Sequence, residues 1–300
     1  MDFTSSANDF YSIEMTTVVG CARQCSYCPQ DNLSKAWSEK KPEERKVRLM
    51  TKEIFTSMLN LLPKNIYIYW TGYAEPMQAP DFHTFVKEAS SRGIRGEIST
   101  TLHTNNDENI YALADRKHLD KLSLHLPDQK GYMKSVVNDK FFERLDFVVR
   151  NCLKEGDLIH FFGPLNNDII SFLKEPQYRT YLEGVKVDEI PMDDVDALTS
   201  RAGNIETANT TYHSSKVFCA ARRLRQPVIL PNGDLYICCM DYSLSAPLGN
   251  IFKSNYVDII ENNIKYFRKS QPEICHKCEW AEPKSMRKSS LLYVKSLLKK

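Results

Sequence analysis

The run YSIEMTTVVGCARQCSYC, Tyr11 to Cys28, decides how the chain is read. A strand-like stretch, Tyr11 to Val19, leads into a loop that carries Cys21, Cys25 and Cys28 in Cys-x3-Cys-x2-Cys spacing, with Tyr27 just before the last thiol. Three thiolates hold a cubane iron-sulfur cluster and leave one iron without a protein ligand, as a catalytic zinc keeps a position that a structural zinc closes. An open iron is a place to bind and activate a molecule. Read alone, three cysteines also fit a zinc site or unrelated core thiols.

Outward from this loop, helical and strand periods alternate. Thr51 caps a helix whose Ile54, Phe55, Met58, Leu59 and Leu62 share a face, and Pro63 stops it before a strand over Ile66 to Trp70. A helix from about Asp81 ends at Gly93 and precedes a strand over Glu97 to Thr101. A strand Leu119 to Leu126, a helix Phe141 to Leu153, a strand Leu158 to Phe162, a short helix near Asn167 to Lys174 and a strand Gly184 to Ile190 complete the series. Such alternation predicts parallel pairing with right-handed crossovers. Counting Tyr11 to Val19, the units number six, fewer than the eight of a closed barrel. The expected fold is α/β, an open partial (β/α)6 barrel. The polar stretch Ser34 to Arg48, nearly all charged from Glu39 onward, predicts a solvated loop without function.

The thiol spacing, and the aromatic residue in its second gap, resemble the signature loop of the radical S-adenosylmethionine (SAM) superfamily. The resemblance implies the same TIM-like partial barrel. It also implies that the open iron chelates the amino and carboxylate groups of SAM, that the reduced cluster cleaves SAM, and that a 5'-deoxyadenosyl radical takes hydrogen from the substrate. In parallel α/β folds ligands sit at the carboxyl ends of strands. There TGYAEP, Thr71 to Pro76, looks like the family segment that meets the SAM amino group, with Gly72, Tyr73, Ala74 and Glu75 as its contacts. Ala74 stands where the family usually has glycine. Thr100 and Thr101 match a position that contacts ribose or the methionine carboxylate, and Ser123, with His125 on the same strand face, is a comparable polar position.

A second cysteine set follows: Cys219, Cys238, Cys275 and Cys278. By spacing alone four thiols fit a zinc ribbon as well as a cluster. The Cys-x13-Gly-x4-Cys element through Gly233, the LGNI run at Leu248 to Ile251, the later Cys-x2-Cys and the SRAGN run at Ser200 to Asn204 resemble the auxiliary-cluster domain of the SPASM and twitch subgroup. No cysteine follows Cys278, so the resemblance implies one auxiliary 4Fe-4S cluster, two clusters in all, the second an electron relay or a structural support. The strand and helix alternation stops near residue 195, which predicts a barrel over 1–195 and an auxiliary-cluster domain with a C-terminal helix over 196–300. Cys239 neighbours a ligand candidate and is a hydrogen donor to a substrate radical or a small buried hydrophobe. Arg201 reaches a substrate hydroxyl or carboxylate, or forms a structural salt bridge. Cys152 reads as core.

Lys+Arg 40 against Asp+Glu 38 gives a net charge of +2, which favours a small molecule over nucleic acid. No apolar run is long enough for a membrane span, and the start MDFTSSAND lacks the regions of a signal peptide. The expected location is the cytoplasm, where nine cysteines stay reduced and serve metals better than disulfides. Lys284 to Lys300 reads as a basic amphipathic helix, docked on its own domain or on a membrane surface. With the signature loop starting at residue 21, little room precedes it for a peptide-binding domain. That fits family members with this truncated module that act on sugars or aminocyclitols, and the resemblance implies dehydrogenation or epimerisation of such a substrate, with flavodoxin or ferredoxin as electron donor. Radical modification of a peptide or protein is the alternative; a non-catalytic zinc-binding interaction protein is the alternative from another class.

Overall fold

Strands β1 (Ser12–Met15), β2 (Tyr67–Trp70), β3 (Gly96–Thr100), β4 (Leu119–Leu126), β5 (Leu158–Phe162) and β6 (Lys186–Ile190) lie side by side and parallel in chain order. They come from a computed structural model, which describes residues 11–190, 200–205, 210–219, 221 and 223–283. Helices α1 (Gln30–Glu39), α2 (Lys52–Leu61), α3 (Phe82–Ser91), α4 (Glu108–Tyr111), α5 (Asp139–Asn151) and α6 (Asn167–Leu173) fill the crossovers. Three of them start on a side-chain cap, and that of α2 is the Thr51 the sequence singles out. Thr51 Oγ1 accepts from Ile54 N, and Asn138 and Asn166 accept from the first-turn amides of α5 and α6.

The strand period of two separates the sheet's faces. Ile13, Ile68, Ile98, Leu122, Leu124, Ile159 and Phe161 are buried under Phe55, Phe82, Phe85 and Leu145 of the helices. The alternate positions form a polar inner face, with Glu14 beside Tyr69, Tyr69 beside Glu97, Ser99 beside Ser123, and His125, His160 and Asp188 in one row. An open barrel thus presents hydrogen-bonding groups inward instead of a filled core.

The sheet does not end at β1. The C-terminal part adds β7 (Val217–Cys219), β8 (Val228–Ile229), β9 (Asp234–Tyr236), β10 (Pro247–Asn250), α7 (Tyr256–Lys269), α8 (Glu273–His276) and β11 (Ala281–Pro283). Strand β8 pairs parallel with β1, Glu14 opposite Val228, and β9 and β10 follow antiparallel, so the order is β10-β9-β8-β1-β2-β3-β4-β5-β6. Gly233 turns β8 into β9 at φ 84, where a Cβ would collide with the Phe252 ring. Ile229, Leu235, Ile251 and Ile260 join the barrel's core, while Val217, Ile237, Met240, Phe267 and Cys278 form a second, smaller one.

One expectation is corrected. The stretch predicted as a solvated loop from Ser34 begins inside α1, whose Leu33 and Trp37 are buried with Val19, Tyr73 and Val228. Two apolar residues four apart among many charges suffice to anchor one helical face. Past its end Lys40 reaches Asp234 of β9 at 3.2 Å, so part of the charged run ties the barrel to the C-terminal part. The boundary expected at residue 195 and the helix expected over 284–300 lie outside the described residues. Among the described residues no helix is long and apolar enough to cross a membrane.

Candidate functional site

The cysteine loop leaves β1 at its carboxyl end and is clipped from below by two glutamines. Gln30 Oε1 accepts from Cys21 N at 3.1 Å, and its Nε2 donates to the Tyr73 carbonyl at 2.6 Å and to Cys28 Sγ at 3.4 Å. Gln78 Oε1 accepts from Ala22 N at 2.8 Å, and its Nε2 donates to the Gly20 carbonyl at 3.3 Å. Neither glutamine belongs to a recognisable motif. Each joins the loop to the segment after β2, and only the fold places them there.

That segment is TGYAEP. Gly72 adopts φ 59, and a Cβ there would run into Thr16 Oγ1 and lie 2.9 Å from Thr16 N, so only glycine lets the turn press against β1. Tyr73 N then donates to Thr16 Oγ1 at 3.0 Å. Glu75 is buried and fully engaged. Its Oε1 accepts from Thr100 Oγ1 at 2.6 Å and Met77 N at 3.2 Å, and its Oε2 from Thr101 N at 2.7 Å and Thr101 Oγ1 at 2.8 Å. Burial pushes this carboxyl above its usual range while the four donors pull it back. A carboxylate has about four acceptor positions, so Glu75 here orients the two threonines.

These pieces surround a cleft of about 610 Å³, open to solvent, which all three N-terminal cysteines line together with Tyr27, Tyr73, Ala74, Glu75, Thr100 and Thr101. Gly72, Ser123 and Cys239 are not among the lining residues; Ser99, His125, Arg23, Gln30 and Tyr242 are. Tyr27 stacks on Phe162 of β5 at 4.6 Å. Arg201 enters from the C-terminal part, and its buried Nε has no hydrogen-bond partner among the described residues. Burial, with smaller pushes from His160 and Arg201, lowers the His125 ring to about 3 and keeps it neutral. The cleft therefore offers guanidinium groups near the cysteines and neutral hydroxyls and imidazole on the strand wall.

The second set lines a separate cavity. Cys219, Cys238, Cys275 and Cys278 all face a space of about 430 Å³ walled by Val217, Ile237, Met240, Phe267 and Trp280. Burial pushes Cys275 up to about 12 and Cys278 to about 11, so these thiols ionise only when a cation replaces their protons. Among the described residues no three donors converge on one point as a single ion requires. Four thiols around one cavity are the number that fully ligates a cluster or a zinc. Cys239 is not among that cavity's lining residues and lies by the buried Glu14 carboxyl, which also contacts Arg223 and Gln226. Cys152 is buried in the barrel core.

Residues 219–279 match the SPASM iron-sulfur cluster-binding domain, a span that begins on Cys219 and takes in Cys238, Cys275 and Cys278. No curated protein sequence matches the chain. Among solved structures the chain is similar to BtrN in complex with AdoMet and 2-DOIA, at 18% identity and TM-score 0.56 over 92% of this chain and 94% of that one. Native anSMEcpe with bound AdoMet gives 17% identity and TM-score 0.48 over 90% and 86%. Streptococcus suis SuiB bound to precursor peptide SuiA gives 13% and 0.47 over 90% and 69%. The BtrN likeness bears out the partial-barrel fold, and the domain match bears out the SPASM and twitch resemblance of the C-terminal cysteines.

Proposed function

We propose that this chain, a radical SAM enzyme of the SPASM and twitch subgroup, binds S-adenosylmethionine and two 4Fe-4S clusters and dehydrogenates a hydroxylated small molecule, a sugar or an aminocyclitol. Cys21, Cys25 and Cys28 hold the first cluster, and Cys219, Cys238, Cys275 and Cys278 the auxiliary one. The reduced cluster and SAM bound there would supply radical abstraction of a substrate hydrogen. The rest is the work of side chains. The Tyr27–Phe162 stack forms an aromatic wall, the Tyr73–Ala74 backbone and the Thr100 and Thr101 hydroxyls meet the polar parts of SAM, and Ser123 backs Ser99 on the strand wall.

The reading rests chiefly on Arg201. A guanidinium Nε buried in the cleft without a partner is costly unless a ligand oxygen completes it. Opposite a hydroxyl, its charge favours loss of the hydroxyl proton, which turns a carbon-centred radical into one readily oxidised. Neutral His125 suits an uncharged polyol. Cys239 lies by Glu14 of the inner face and is not among the residues that line the cleft, and dehydrogenation is preferred here to epimerisation by thiol return. Nine free cysteines suit a reducing cytoplasm, with flavodoxin or ferredoxin as the donor.

The test incubates reduced, anaerobically loaded enzyme and SAM with carbon-deuterated sugars, aminocyclitols and peptides, and follows deuterium into 5'-deoxyadenosine. Label from a polyol, with an oxidised product, supports the reading. Label from peptides alone replaces it with peptide modification.

A further inference from the structure

The two cysteine sets meet at one side chain that neither motif contains. Tyr242 follows the ligand candidate Cys238 by four residues, and its buried phenol lies with Oη 3.6 Å from Sγ of Cys28. The segment between is tight: Asp241 N donates to the Cys238 carbonyl at 3.1 Å, Tyr242 N to the Met240 carbonyl at 3.0 Å, and the Asp241 carboxylate accepts from Ser245 N and Ala246 N. A second tyrosine braces the same junction. Tyr73, from the turn after β2, packs its ring 4.9 Å from that of Tyr242 and donates its hydroxyl to the Cys238 carbonyl at 2.9 Å.

We propose that Tyr242 couples the two clusters: its phenol hydrogen-bonds the Cys28 ligand sulfur, and its ring and backbone form the electron path from that sulfur to Cys238. As a free thiol, Cys28 donates to the phenol oxygen. Once iron has displaced the thiol proton, the sulfur has only lone pairs, and the phenol O–H becomes the donor. A hydrogen bond to a ligating sulfur withdraws charge and raises the cluster's reduction potential. From Cys28 the route to Cys238 crosses a single through-space gap and continues along covalent bonds. The electron balance is simple: one cluster loses one electron, the other gains it, and no bond or proton changes place. The inference rests on the two-cluster reading above.

Tyr242→Phe, loaded anaerobically, is compared with wild type by EPR-monitored potential titration and by freeze-quench after rapid reduction. With iron content retained, the N-terminal cluster should shift to lower potential, the auxiliary cluster should not, and electron exchange should slow by about tenfold. Tyr73→Phe, which loses only the bond to the Cys238 carbonyl, should slow exchange without moving the N-terminal potential. Unchanged potential and exchange in Tyr242→Phe would overturn the proposal; should that variant fail to load, unchanged exchange in Tyr73→Phe does the same. A wild type that takes up about four irons instead of about eight sinks the two-cluster reading itself.

Discussion

Glu279 holds Arg201 by its backbone: one carboxylate oxygen accepts from Arg201 N at 3.1 Å and the other from Ala202 N at 3.1 Å. Arg201 and Ala202 both adopt left-handed backbone, φ 49 and φ 57, which L residues leave unless something holds them. The residue after Cys278 therefore sets where the guanidinium enters the cleft. Glu279→Ala should cost about 1 kcal/mol in thermal unfolding and raise the substrate KM more than it lowers kcat. Equal loss in both would place the effect on the chemistry instead.

Gly72→Ala should be poorly tolerated. Its φ of 59 and the approach of Thr16 leave no room for a Cβ, and a shift there moves the Tyr73 and Ala74 backbone. We expect a loss on the order of 2 kcal/mol in denaturant unfolding and weaker SAM binding by equilibrium dialysis. Unaltered binding would remove this turn from the cofactor contacts.

Glu14 should make stability depend on pH. It is buried between Arg223 at 3.2 Å and Gln226 at 3.0 Å, and burial pushes its carboxyl from 4.5 to about 7 despite the Arg223 charge. The native state then holds this proton more tightly than the unfolded chain. Its contribution is whole below the ordinary value and is lost as pH rises to about 7, a change on the order of 3 kcal/mol. Midpoints measured from pH 5 to pH 8 should fall in wild type and flatten in Glu14→Gln; the same slope in both would assign it to another group.

His125 should bind without titrating. With its ring lowered to about 3, substrate KM should show no inflection near the usual histidine range. His125→Phe should cut kcat/KM by about tenfold or more, because a polar substrate group loses its partner. A wild-type inflection near about pH 6.5 that vanishes in the variant would show the ring charging after all.

The cysteines should divide cleanly by iron analysis. Cys25→Ala should lose about half the iron and all SAM cleavage, whereas Cys239→Ala should keep the iron and still give the oxidised product. A stalled or diverted reaction in Cys239→Ala with full iron would restore the epimerase outcome.

The barrel was legible because its signals are local: apolar periods, the cap at Thr51, and Gly93 at a helix end. Ligand spacing in both cysteine sets was equally local. What escaped notice is set by contacts distant in sequence. Helix α1 was hidden because only Leu33 and Trp37 of its ten residues are buried. The pairing of β8 with β1 joins segments more than two hundred residues apart and leaves no periodic trace. Gln30, Gln78 and Tyr242 are ordinary residues until the fold brings a thiol or a loop amide beside them, and Glu75 looked free until Thr100 and Thr101 closed on it.

Because β8 is laced to β1 by backbone ladder, the C-terminal part is sewn to the barrel along a seam. A seam has no slack, so swinging that part outward as a lid would tear the sheet. Among the described residues the opposite flank carries no such tie: β6 ends the sheet there, with Lys186, Val187 and Glu189 in solvent.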